Sequence, residues 1–121
     1  MDSRWPAHST SLGRVLLAQL PPDQLAQYLE SPTLPPLTVH TVTGAAEFSA
    51  ILGVTRQQGC AVEDREVEMD LVGIAIPVRI ASAGQLLSLS VTVRPRHTSA
   101  SEMKARYLHA MQQTAQPLEA L

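Results

Sequence analysis

Two segments between Gly59 and Pro95 alternate greasy residues with small or hydroxyl ones at the period of a strand, and this constrains the fold more than anything else in the chain. In GCAVEDREVEMDLVGIAIPVRIASAGQLLSLSVTVRP, the first segment places Val72, Ile74, Ile76, Val78 and Ile80 on one face. It leaves Leu71, Gly73, Ala75, Pro77 and Arg79 on the other. The second places Leu87, Leu89, Val91 and Val93 together, with Ser88, Ser90 and Thr92 opposite, and Ala81 to Gly84 form the turn of a hairpin. Such a sheet covers a core on its greasy face. Its other face is either the wet side of a half-exposed antiparallel sheet or the floor of a small polar pocket. For a pocket, Gly73 and Ala75 leave room above the backbone, and Ser90 and Thr92 supply donors and acceptors for a buried polar ligand.

The rest of the chain alternates helices with strands and shows no repeat, low-complexity tract or dividing linker, so residues 1–121 read as a single domain. A first helix starts near Ser9 to Ser11, where hydroxyls cap exposed amides, and is expected to bury Leu12, Val15, Leu16 and Leu20. Pro21 and Pro22 end it and open a second helix, with Leu25, Tyr28 and Leu29 inward. Pro32, Pro35 and Pro36 mark a loop running into a short extended piece, LTVHTV. Thr43 is the expected cap of a third helix through Gln58, with Phe48, Ile51, Leu52 and Thr55 on its inner stripe and Gly59 as its left-handed terminator. Cys60 to Val62 reads as a short strand and Glu63 to Asp70 as an acidic turn. Ser99 and Glu102 make a capping box for a final helix with Met103, Tyr107, Ala110, Met111, Thr114 and Leu118 at helical spacing.

Composition removes several classes of function. A net charge of −2, with one Trp, two Tyr and one Phe, lacks the basic patch and stacking rings of a nucleic-acid surface. No apolar run approaches the roughly 18 residues of a membrane span. MDSRWPAHSTS lacks the apolar segment of a secretory signal, and the lone Cys60 fits packing in a reducing compartment, so a cytoplasmic location is expected. No phosphate loop, nucleophile elbow or helical histidine pair is present, and no cofactor or metal is expected. His8, His40, His97 and His109 are scattered and read as surface or capping residues. Of Glu63, Asp64, Glu66 and Glu68, which lack the ligand spacing and central glycine of a calcium loop, most read as a solvated turn. Glu63 is set apart because it closes a strand beside the proposed pocket. An enzyme is not expected.

Three segments together resemble the C-terminal effector-binding domain of IclR-type transcriptional regulators. WPAHSTSLGRVLLAQL resembles the family's proline, H-x-x-x-x-G and apolar helix. TRQQGCAVEDREVEMDLVGIAIPVR resembles its R-x-x-G-[YFW]-x-x-D-x-E segment and the G-x-x-x-[IL]-A-x-P-[VI] strand after it. QLLSLSVTVRP resembles its last strand, broken by two hydroxyl residues. These segments run in the family's order over almost all of Trp5 to Leu121, and the wording of Ser9 to Leu20 and Thr38 to Thr43 is nearest the branch that senses aromatic acids of the protocatechuate pathway.

The resemblance implies an α+β fold, an antiparallel sheet flanked by helices of GAF/profilin-like type. It also implies a small carboxylate effector, such as protocatechuate or 4-hydroxybenzoate. The implied ligand-binding residues are Ser11 and Leu12, whose amides start the first helix, then Glu63, Gly73, Ser90 and Thr92. Met1 stands close before the Trp5 segment, which implies a domain without its first strands and without the family's winged helix-turn-helix. Direct nucleic-acid or membrane contact is therefore not expected. Self-association or pairing with a full-length regulator is, and the alternative role is a ligand-free remnant that acts only by such pairing. Cys60 replaces a preferred aromatic, Asp70 a glycine, and Val72-Gly73 an arginine-serine pair, which implies an altered, wider pocket floor.

Overall fold

The structure, a computed structural model, describes residues 7–30, 34–94 and 99–121. Trp5 and His97 lie outside them. In chain order the elements are α1 (Ser11–Ala18), α2 (Pro22–Glu30), α3 (Ala45–Gln58), β1 (Ala61–Asp64), β2 (Val72–Ile80), β3 (Gln85–Val93) and α4 (Ala100–Glu119). A single 3-10 turn, Ala81–Ala83, joins β2 to β3, with Gly84 closing it at φ 61°. The fold is α+β: an antiparallel sheet in the order β1-β2-β3 lies between α4 and a layer formed by α1 and α3.

The alternation read from the sequence sorts residues onto the two faces of this sheet. Val72, Ile74, Ile76 and Val78 are buried with Cys60 against Met103, Met111 and Ala115 of α4. On the opposite face Val15 of α1 packs on Ala61 and Ala75, a contact that small residues make close. So β2 is covered on both sides along its first half, and the face that could have been solvated is roofed by α1. Pro77 lies beyond the last β1 pairing, Ala61 with Ala75, where the missing N–H deprives no β1 partner.

Several boundaries and faces differ from expectation. In α1, Val15 is buried but Leu12 and Leu16 are exposed; the inward residues are Ser11, Arg14, Val15, Leu17 and Ala18. The helix is sandwiched, with Val15 toward the sheet and Leu17 and Ala18 toward Phe48 and Leu52 of α3, so no single leucine stripe satisfies both neighbours. The cap of α3 is Gly44 rather than Thr43, and it offers no side-chain bond. LTVHTV forms bends and a turn, not an extended strand, because the Thr41 hydroxyl accepts from the Leu37 and Thr38 amides and curls the segment back. The short strand runs from Ala61 to Asp64, later than Cys60 to Val62. In α4 the buried residues are Met103, Met111 and Ala115, while Ala110, Thr114 and Leu118 face solvent.

Other local signals behave as read. Gly59 ends α3 at φ 75°, its N–H bonded to the Thr55 carbonyl. The Ser99 hydroxyl caps α4 by accepting from the Glu102 amide. Cys60 is fully buried, and burial pushes its thiol pKa up. No helix of the described residues is long and apolar enough to cross a membrane.

Candidate functional site

The site is organised by sheet register. Glu63 on β1 pairs with Gly73 on β2, which pairs with Thr92 on β3; the next rung on the same face is Ala61, Ala75 and Ser90. Side chains of one rung and the next but one along a strand point the same way. The carboxylate and the two hydroxyls therefore share the face that α1 covers.

Thr10 starts α1 with an extended backbone, and its hydroxyl accepts from the Gly13 amide at 3.0 Å. That bond turns the first helical residues, Ser11 and Leu12, onto the sheet. Gly13 lets the turn before α1 fold back against the helix, because a Cβ there would lie 2.4 Å from the Cα and carbonyl oxygen of Ala7. This is a physical reason for a glycine in the H-x-x-x-x-G pattern.

Between the α1 N-terminus and the sheet lies a cavity of about 220 Å³, lined by Thr10, Ser11, Leu12, Glu63, Val67, Leu71, Ser90 and Thr92. Five of the six residues singled out from the sequence, Ser11, Leu12, Glu63, Ser90 and Thr92, thus meet around one space. Gly73 does not line it. The Ser11 hydroxyl oxygen sits 3.0 Å from where a Gly73 Cβ would be, with the Thr92 hydroxyl at 3.5 Å, so Ser11 fills the room above the glycine. Leu12, 42% exposed, stands at the mouth, and Val67 and Leu71 come from the acidic segment between β1 and β2.

Glu63 is 4% exposed, and its carboxylate oxygen Oε2 accepts from the Glu66 amide at 3.2 Å. Burial raises its pKa to about 7; the Glu66 amide and the Arg14 charge lower it, and the charges of Glu66 and Asp64 raise it. The carboxyl that lines the cavity is therefore partly protonated near neutral pH.

Beneath the cavity is an ionic network that the sequence reading did not anticipate. Arg14, 2% exposed, donates through Nε to the His8 carbonyl at 2.9 Å and pairs with Glu66 at 2.5 Å. A weaker bond of 3.4 Å runs to the Val62 carbonyl, and the guanidinium carbon lies 5.9 Å from the centre of the Phe48 ring. The same Glu66 oxygen accepts from the Val42 amide at 3.1 Å, and the Thr41 hydroxyl donates to the Glu66 carbonyl. Glu66 is therefore not part of a solvated turn, as expected, but a buried anchor tying the β1–β2 segment to α1 and to residues 41–42.

His8 also departs from its surface assignment. It is buried, its Nε2 lies 3.1 Å from the Pro35 carbonyl, and its ring meets Phe48 edge-on at 81°. One signal was available: Arg14 is the sole Lys, Arg, Asp or Glu between Arg4 and Asp23, in the middle of an apolar helix. A charge so placed needs a buried partner or a route to water. Among the described residues no group of three or more His, Cys, Asp or Glu is placed to hold a metal ion.

Comparison with known proteins gives this geometry its context. The family model described as bacterial transcriptional regulator IclR C-terminal matches residues 2–120. The Pca regulon regulatory protein of Pseudomonas putida is 34% identical over 108 residues, covering 89% of this chain and 37% of that protein. A transcriptional regulator of Rhodococcus sp. RHA1 superposes with a TM-score of 0.89 at 34% identity, over 98% of this chain and 48% of its own. The inducer-binding domain of the PobR transcription factor from Acinetobacter, solved as a double mutant with 3-hydroxybenzoic acid, gives a TM-score of 0.86 at 29% identity, over 96% of this chain and 68% of that one. The chain thus spans well under half of the length of the Pseudomonas relative, and these relatives are regulators of transcription rather than enzymes. Matched by the family model over nearly its full length, the chain belongs to the IclR C-terminal family, the regulatory, effector-binding part of these transcription factors.

Proposed function

We propose that this domain senses a small aromatic acid in the cavity between the α1 N-terminus and the hydroxyl face of β3. The observation that carries the reading is the convergence of Ser11, Leu12, Glu63, Ser90 and Thr92 on one space of about 220 Å³. A dry cavity of about 150 Å³ accommodates benzene, so a single substituted ring is the matching size class. Amides of Ser11 and Leu12 at the positive end of α1 would receive the carboxylate. Leu12, Val67 and Leu71 offer apolar surface to the ring, and Ser90 and Thr92 bond its polar substituents. Kinship with the Pca regulon protein and with the 3-hydroxybenzoate-bound PobR domain supports an aromatic acid over other carboxylates.

In a whole regulator such a ligand acts only by favouring one arrangement of the assembly over another, and DNA is contacted by parts other than this domain. The test is thermal unfolding of the purified chain with 3-hydroxybenzoate, 4-hydroxybenzoate, protocatechuate and short-chain acids. At a hundred times its Kd a true ligand adds about 2.7 kcal/mol, a rise in Tm on the order of 10 °C. A transition indifferent to every acid refutes the reading.

A second reading, association without sensing, is favoured by one observation. Among the described residues β3 has a strand neighbour on one side only over its nine residues, and a shallow groove beside α4 is lined by Leu89, Val91, Tyr107 and Met111. Its occupant would be a second chain of the same family. Co-purification with a full-length relative, without any response to acids, would select it.

A further inference from the structure

The cavity proposed for an anion contains an acid and no base. Of its lining residues, Thr10, Ser11, Ser90 and Thr92 carry hydroxyls and Leu12, Val67 and Leu71 are apolar, which leaves Glu63 as the one titratable side chain. Arg14, the cation among the described residues whose charge reaches Glu63, is committed to Glu66, to the His8 carbonyl and to the Val62 carbonyl. From β2, the residue facing Glu63 is Gly73, and from β3 it is Thr92, neither of them charged. Asp64 on β1 and Glu66 in the following segment add negative charge. An ionised ligand and an ionised Glu63 would therefore share a small space in which the described residues supply no counter-ion of their own. Like-charged carboxyls in such a space resolve the conflict by holding a proton between them.

We propose that the effector carboxylate enters together with one proton held on Glu63, so that Glu63 acts as a hydrogen-bond donor in the pocket and binding is coupled to proton uptake. This rests on the carboxylate reading above. The geometry suits it: Oε2 is used by the Glu66 amide, and no second bond to the carboxylate is formed among the described residues, leaving capacity for one to a ligand. Burial that already raises the Glu63 pKa to about 7 makes that proton available at little cost near neutrality. Ligands that can accept a hydrogen bond from a neutral carboxyl are thereby selected over cationic or purely apolar ones of the same size.

The decisive experiment is calorimetric titration of the chain with 3-hydroxybenzoate between about pH 6 and pH 8, a range in which its carboxyl stays ionised and its phenol neutral. It is run in paired buffers of different ionisation enthalpy and repeated with Glu63→Gln. That variant can accept from the Glu66 amide as glutamate does, can donate to a ligand and cannot titrate, so it preserves the fold. For the wild type the expected result is an affinity that is flat on the acid side and falls toward tenfold per pH unit above about 7, with uptake of about one proton at the alkaline end. For the variant the expected result, whatever its absolute affinity, is no pH dependence and no proton uptake. Wild-type binding that is flat with pH and exchanges no proton overturns the inference while leaving the carboxylate reading intact. Absence of binding by 3-hydroxybenzoate, 4-hydroxybenzoate and protocatechuate alike overturns that reading and the inference with it.

Discussion

Arg14 of α1 and Glu66 of the β1–β2 segment form a 2.5 Å ion pair in which both side chains are withdrawn from water. The pair joins two parts of the chain that each supply cavity lining: the α1 N-terminus, and the segment carrying Val67 and Leu71. Removing one partner leaves a buried charge without its complement, which typically costs about 3–5 kcal/mol. Arg14→Met is therefore expected to lower the denaturation midpoint sharply. Arg14→Met with Glu66→Leu is expected to recover part of the loss, short of wild type because the Val42 amide also loses its acceptor. A urea double-mutant cycle measures the coupling, and strictly additive effects would show that the two side chains do not act as a pair.

Gly13→Ala places a methyl 2.4 Å from the Ala7 backbone, where nothing flexible can yield. The expected loss is about 1–3 kcal/mol from overpacking, with α1 and the Ala7 turn pushed apart. Gly53→Ala is the control, since a Cβ there meets nothing within 4 Å in the exposed side of α3. It is expected to stabilise by up to about 1 kcal/mol through helix propensity. Equal effects at the two glycines would contradict the close approach of α1 to Ala7.

Unliganded stability is expected to fall with pH through the titration of Glu63. Its folded pKa, about 7, lies above the ordinary carboxylate value of 4.5. Its neutral form therefore contributes fully below about pH 4.5, and the contribution is lost as pH rises through about 7. The span is on the order of 3 kcal/mol. Glu63→Gln should flatten this limb, making the variant relatively more stable at alkaline than at acid pH. Parallel stability–pH curves for the two proteins would disprove it.

Ser90→Ala combined with Thr92→Val removes both hydroxyls from the cavity face of β3 without changing its apolar face. Aromatic-acid affinity is expected to drop about tenfold or more, as two hydrogen bonds of about 1 kcal/mol each are lost. The far-ultraviolet spectrum and cooperative unfolding should persist. Unchanged calorimetric binding would remove these hydroxyls from the proposed site.

Cys60 is enclosed by the α4-side core and its thiol pKa is raised by burial. Labelling by a thiol reagent is expected to be slow in native buffer and immediate in denaturant. Fast native labelling would mean that the core between α4 and the sheet opens readily.

Strand alternation, hairpin turn, the Gly59 terminator and the Ser99 cap were legible in the chain because each is a local rule: period, positive φ, one side-chain bond to a nearby amide. The placement of Ser90 and Thr92 opposite the greasy face followed from the same period, and with the family resemblance it led to five of the eight cavity-lining residues. What sequence could not decide was which side of α1 faces inward. Periodicity locates an apolar stripe, but α1 is gripped between small residues of the sheet and Phe48 of α3, and only that packing exposes Leu12 and Leu16 while burying Ser11 and Arg14. Glu66 and His8 were misread for a related reason. A charge or imidazole far from its partner in sequence, 52 residues for Glu66 from Arg14 and 27 for His8 from Pro35, looks solvated until the tertiary fold supplies the partner that makes its burial tolerable. Sequence by itself determined the helices, the hairpin and the chemistry of the sheet's two faces; the tertiary structure decided what closes over them, because burial and ion pairing are properties of distance in space and not of spacing along the chain.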